Sequence, residues 1–308
     1  MLGRVATFAL SEKMIQSALR SQSRTVEIEL QEASGNISDT FGGLGATSRR
    51  VLDLQTSIAQ STAYSDAATN TGSRIEVMYS ACTQMTDLLT TLRSSIVSAT
   101  DAGTLDDGTL ASLTTAMSEY MDEFASLLNT QYEGRYLFSG AMTDTKPVDV
   151  SSSAYPAQTT PSTASTSYYN GDDEIASVRV SSEQVVQYGV TADNPAFEKA
   201  LRAFNLMSNM SSSTLDSDTL TEALSLAEEA LSGVSSIQTK LSINASTMES
   251  AVSMQTTFQD QASSLESNLT DVDVAAASAE LSTRQAQLEA AYSAINKIQS
   301  LNLVDYLK

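Results

Sequence analysis

The chain has 308 residues and sets 17 Lys and Arg against 37 Asp and Glu, a formal net charge of -20. That balance excludes nucleic acid and anionic membrane as partners, because both need clustered cations. With no His and one Cys, a Ser-His-Asp triad, a His-ligated zinc site and an intrachain disulfide are also excluded.

At the N-terminus the apolar stretch Val5 to Leu10 is interrupted by Thr7 and followed at once by Glu12 and Lys13. No small-residue cleavage site comes after it, and nothing reaches the ~18–20 apolar residues of a membrane span. A soluble chain, exported without a cleaved signal, is the expectation. Ile15, Leu19, Gln22, Val26, Leu30 and Ala33 then recur at helical spacing. This thin apolar stripe predicts a terminal helix that pairs with its C-terminal counterpart or with neighbouring subunits. Gly42-Gly43-Leu-Gly45 has no preceding strand and no following Lys-Ser or Lys-Thr, so it reads as a joint and not as a phosphate loop.

From Arg49 to Asp101 the chain has no Pro and one Gly. Ile75, Met78, Cys82, Met85, Leu89, Leu92, Ile96 and Ala99 step by three and four, the seam of a helix about 80 Å long. A compact globule of this length has a radius of gyration of only about 19 Å, so a rod fits better. Leu113, Met117 and Phe124 lie on a second run. Leu231, Leu241 and Met248 lie on a third. A terminal stripe follows through Leu281, Leu288, Ile295 and Ile298.

Between the helical halves, 143–166 is dominated by Ser, Thr and Ala with three prolines, which disfavours helix. Ser167 to Tyr169, Ile175 to Val180 and Val185 to Val190 read as strands, with Asn170-Gly171 as a hairpin turn between the first two. Asn194-Pro195 opens a helix. The expected fold is mainly α with a small β insert, an elongated helical hairpin or coiled-coil rod carrying a β-rich tip. Its parts are 1–44, an assembly helix and joint; 45–140, the first half of the rod; and 141–191, the outer β-rich insert. The second half of the rod, 192–269, and a C-terminal assembly helix, 270–308, complete it.

No catalytic constellation emerges. Cys82 has no His to activate it and reads as a buried apolar side chain. Asp271 and Asp273 diverge at i and i+2, so they suit a helix start better than acid–base work. Asn170 to Glu174 lacks the ligand spacing of a calcium loop. No cofactor and no metal are expected.

The stretch Gln131-Tyr-Glu-Gly-Arg-Tyr-Leu-Phe-Ser-Gly140 resembles the flagellin-like hook-associated proteins of the bacterial hook–filament junction, which end their second helical run on such a strand. Tyr168-Tyr-Asn-Gly-Asp172, Val178-Arg-Val180 and Asn194-Pro-Ala-Phe197 fit that family, as do Leu269-Thr-Asp-Val-Asp-Val274, Ala279-Glu-Leu281 and Gln285-Ala-Gln-Leu288. The chain departs from it after the first helix, where Thr40-Phe-Gly-Gly43 replaces an acidic pair. The resemblance implies a non-enzymatic structural subunit, exported by the flagellar type III route and placed as a ring of about eleven copies. Flagellin would lie on its distal side and the other junction protein on its proximal side, with an export chaperone as a further partner. The expected subunit-assembly residues are Ile15, Leu19, Val26 and Leu30 with Leu288, Ile295, Ile298 and Leu301. Leu288→Asp or Ile295→Asp is then expected to leave a soluble monomer that cannot assemble. The expected rod core is Ile75, Met78, Cys82, Met85, Leu89, Leu92, Leu113, Met117, Phe124, Leu231 and Leu241. A flagellin filament subunit is the nearest alternative; an extended secreted coiled-coil adhesin is the alternative from another class.

Overall fold

The computed structural model describes residues 2–151, 153–211 and 217–300, and of 2–8, 10, 11 and 298–300 the backbone alone. The order of elements is α1 (Leu2–Ser34), a 3-10 turn (Phe41–Thr47), α2 (Ser48–Ala102), α3 (Asp107–Leu128), β1 (Gln131–Tyr132), β2 (Arg135–Tyr136), β3 (Ser177–Arg179), β4 (Val185–Gln187), α4 (Pro195–Ser208), α5 (Ser217–Thr270) and α6 (Val274–Ser300). The fold is therefore mainly α with two small antiparallel strand pairs.

Local chemistry sets the helix ends. Gly103, at φ +67°, takes the left-handed conformation that closes α2, and its N–H donates to the Thr100 carbonyl. Asp106 caps α3 by accepting from the Gly108 and Thr109 amides. Asn194 caps α4, ahead of Pro195 in the first turn. Asn194→Ala is expected to lower stability by about 1 kcal/mol, read from chemical denaturation. Along α2 and α5, Ser and Thr hydroxyls curl back onto the carbonyl four residues earlier, as Thr83 does to Tyr79 at 3.0 Å and Thr256 to Val252 at 2.9 Å.

Contacts divide the chain into two units, 1–59 with 258–308 and 60–257. In the second, the α2 seam from Ile75 to Ile96 is buried against α5 residues that include Val234, Leu241 and Met248. Where α3 meets α4, Phe124 lies 6.3 Å from Phe197 and 5.8 Å from Phe204, and Phe197 meets Phe138 edge-on at 6.0 Å. Edge-to-face rings of this kind gain from their quadrupoles beyond the area they bury.

The β insert departs from the expected strands. Only 177–179 and 185–187 pair, with Val178 opposite Val186. Asn170-Gly171 does not turn a hairpin. Ser167 and Tyr168 form a turn, and the bridge that follows is to an upstream segment: Tyr169 pairs with Val148, the Asp149 amide donates to the Tyr168 carbonyl, and Asn170 donates to Pro147. The cause is burial of the Tyr168 ring, whose hydroxyl donates to the Ala192 carbonyl at 3.1 Å. The Gly134 to Gly140 segment is likewise not one strand. Glu133 and Gly134, both at positive φ, make the two-residue turn joining β1 to β2.

The Pro-containing segment is held by side chains reaching its backbone. Asn129 brackets Val148, accepting from its N–H and donating to its carbonyl, both at 2.9 Å. Buried Asn205 accepts from Gln158 N–H at 2.7 Å and donates to Pro156 O at 3.2 Å. Glu198 and Glu222 accept from the amides of Ser165 and Ser162. Asn205→Ala removes both contacts, at about 0.5–1.5 kcal/mol each. Limited proteolysis is expected to cut the variant within 153–166 well before the native chain.

In the first unit, α1 and α6 run antiparallel. Ala18 is buried with Leu288 and Ile295, flanked by Met14 and Ala291. Ser278 donates to the Glu32 carboxylate at 2.5 Å. The two connecting segments are stitched together by backbone: Ile37 N–H to Thr270 O at 2.6 Å and Val272 N–H to Gly35 O at 2.8 Å.

Candidate functional site

The chemistry-bearing residues have structural partners. Cys82 is fully buried, and burial pushes its thiol up to about 12 from an ordinary 9.0. The thiolate, the reactive form, is therefore suppressed in the folded chain. An unfolded chain ionises this thiol first as pH rises past 9, so its contribution to stability falls there. Iodoacetamide at pH 8 is expected to label Cys82 only after denaturant is added. Asp273 caps α6, accepting from the Ala276 amide at 3.0 Å, while Asp271 accepts from Ser267 and Thr270 hydroxyls. Asp172 accepts from Ala141 N–H at 2.8 Å and Glu174 N–H at 3.2 Å, which ties the 139–141 turn to the insert. Among the described residues no group of three His, Cys, Asp or Glu gathers at metal-binding distance. Gly42 to Gly45 lies in the 3-10 turn, where a Cβ on Gly43 would overlap the Ser38 side chain.

What distinguishes the surface of the first unit is α1. Its inner face, packed toward α6, is Met14, Ala18, Ser21, Thr25, Ile28 and Glu32, all buried or half-buried. Thr25 is accommodated there because its hydroxyl donates to the Ser21 carbonyl. The larger apolar residues lie on another face. Ile15 is 40% exposed, Leu19 59%, Val26 49% and Leu30 59%. At 100° per residue this row sits about 130° round the helix from the inner face. On the other flank Arg24 pairs with Glu27 at 2.8 Å and approaches Glu280 at 3.8 Å. At the foot of the row, Leu30 and Ile37 line an open groove of about 440 Å³ with Ser38, Asp39 and Gly43.

The eight residues expected at a subunit interface thus separate. The four on α1 form one exposed row. Leu288 and Ile295, each 9% exposed, lie in the seam with Ala18. The Ile298 side chain and Leu301 lie outside the described residues. Of the eleven expected in the core, nine are buried, while Leu113 and Leu231 are half-buried against the same cluster. The inner face of α1 escapes the sequence reading because its members are small or polar, although their four-three-four-three-four spacing is visible one residue out of phase with the apolar row.

Residues 5–143 match the bacterial flagellin N-terminal helical region, and 224–307 match the bacterial flagellin C-terminal helical region. Among curated proteins, flagellar hook-associated protein 3 of Escherichia coli is 26% identical over 281 residues, covering 85% of this chain and 86% of that one. Its Salmonella typhimurium namesake is 29% identical over 154 residues, 49% of this chain, and the match spans about half, 48%, of that protein. Solved structures share the fold. The flagellar hook-associated protein-3 of Legionella pneumophila aligns over 70% of this chain and 98% of its own, with TM-score 0.57 and 14% identity. FlgL of Bacillus cereus aligns over 71% and 98%, with TM-score 0.52 and 15% identity. With both flagellin regions in order, one at each end of the chain, and with hook-associated relatives, this chain belongs to the flagellin family.

Proposed function

We propose that this chain is a structural, non-catalytic subunit of the bacterial flagellum that joins hook to filament. The observation that carries the reading is the exposed apolar row of α1, set in a chain whose two flagellin regions include α1 and α6. Four large apolar side chains at helical pitch are costly to leave in water and are satisfied when copies assemble. In this reading the copies form a ring of about eleven, as the resemblance to hook-associated proteins implies. Flagellin sits distally and the other junction protein proximally, and a chaperone covers the apolar row before export. The protein is secreted to the flagellum and works mechanically.

Gold-labelled antibody against 143–191 on intact flagella, viewed by electron microscopy, tests the reading. One band at the hook–filament boundary is expected. Label along the whole filament would make the chain a filament subunit, and no label on flagella would favour a secreted binding module.

A further inference from the structure

We infer that the outer face of the β3–β4 hairpin of one copy seats in a groove between α2 and α5 of its neighbour. The inference rests on the reading of the protein as an assembling flagellar subunit, and both surfaces belong to the unit 60–257. The groove holds about 400 Å³. Gly72 of α2 and Ala245, Met248 and Val252 of α5 line its floor, and Glu76 and Glu249 stand exposed at its margins.

Gly72 is the first sign of an occupant. It is the one glycine in the 55 residues of α2, where it costs about 1 kcal/mol relative to Ala. Packing within the chain does not call for it, because a Cβ there would meet only the Cβ of Met248, at an ordinary 3.9 Å. Gly233 in α5 is the contrast: a Cβ there would run into Ala196 at 2.5 Å. A helix glycine that the fold itself does not use leaves room for a side chain from outside.

The hairpin presents a matching pair of groups. Arg179 and Val185 are direct cross-strand partners, so their side chains leave the same face, the outer one, while Val178 and Val186 turn inward. Val185 is 50% exposed. The Arg179 guanidinium donates to the Ser182 carbonyl at 2.9 Å and keeps further N–H groups for an acceptor. An aliphatic side chain suits the apolar floor, and the cation beside it meets the carboxylates at the margin.

The two surfaces also share one height. Asn244 donates to the Gln187 carbonyl and Gln255 to the Val180 carbonyl, so the hairpin spans that stretch of α5, and the groove takes residues 245–253 of the same stretch. They lie on opposite flanks of the seam: Arg74 donates to the Tyr188 hydroxyl on one side of α2, while Gly72 and Glu76, two residues either way, face the other. Copies side by side with no axial shift therefore bring hairpin to groove. The faces differ, so the contact is heterologous and repeats from copy to copy. Two side chains in a groove cover far less than the ~800 Å² per partner of a stable interface. The contact therefore aligns copies that other surfaces hold together.

The test uses full-length chain in flagella of cells whose own copy is replaced by each variant. Val185→Cys with Gly72→Cys is oxidised and run on a denaturing gel, where buried Cys82 does not compete. A ladder of covalent dimers and higher species is expected, and neither single variant should give one. Dimers from Val185→Cys alone would mean that hairpins meet each other, which overturns the inference. Entry of the double variant without any cross-link overturns it equally. Arg179→Glu is expected to lower incorporation about tenfold, and adding Glu76→Lys with Glu249→Lys to the same chain should restore it. The same reversal at exposed Arg135 should leave incorporation unchanged. Gly72→Leu fills the groove, so it should keep or raise the denaturation midpoint of the isolated chain and still lose incorporation. Native incorporation of both Arg179→Glu and Gly72→Leu counts against the contact. Absence of the native chain from flagella would remove the assembly reading and this inference with it, whereas a native chain that enters while the cross-links fail removes this contact alone.

Discussion

Leu19→Asp with Val26→Asp is expected to give a chain as helical and as stable as the native one that does not enter the flagellum. Both side chains are about half exposed or more in the isolated chain, so the substitutions should alter folding by no more than about 0.5 kcal/mol each. In an assembled wall each carboxylate would be buried without a partner, which costs several kcal/mol. A loss of more than 100-fold in incorporation follows. Leu288→Asp provides the contrast, because Leu288 belongs to the seam with Ala18. It should lower the helical circular dichroism of the monomer before any question of assembly arises. Identical behaviour of the two variants would remove the distinction between a folding face and an assembly face.

Phe197→Ala is expected to cost about 3–5 kcal/mol. The ring is fully buried and meets both Phe124 and Phe138, so its loss leaves a cavity and removes two aromatic contacts. The denaturation midpoint of the variant should fall accordingly. A change below 1 kcal/mol would mean that α3 and α4 close over the space, and the ring cluster would not then organise this region.

The long α2 was legible because 55 residues without Pro carry a seam that steps by three and four with large apolar side chains. Caps at Asn194 and the stop at Gly103 were legible because each acts within a few residues of itself. The pairing of α1 with α6 was only half legible. Apolar size marked Ile15, Leu19, Val26 and Leu30, yet the inner face uses Ala18, Ser21 and Thr25, where small side chains admit a close neighbour. The insert was least legible. Asn170-Gly171 is a stronger local turn signal than Glu133-Gly134, but the buried Tyr168 ring overrides it, and side chains as far along the chain as Asn205 and Glu222 hold the Pro-containing segment.

The hydroxyls folded back along α2 and α5 bear on how the protein responds to salt. A helix surface surfaced with self-bonded Ser and Thr depends little on short-range ion pairs, so screening has few attractive contacts to weaken. What screening does weaken is the mutual repulsion of chains that each carry a formal charge of -20. Raising ionic strength should therefore tighten the packing of neighbouring copies, and low salt should loosen an assembled junction before it melts a single helix.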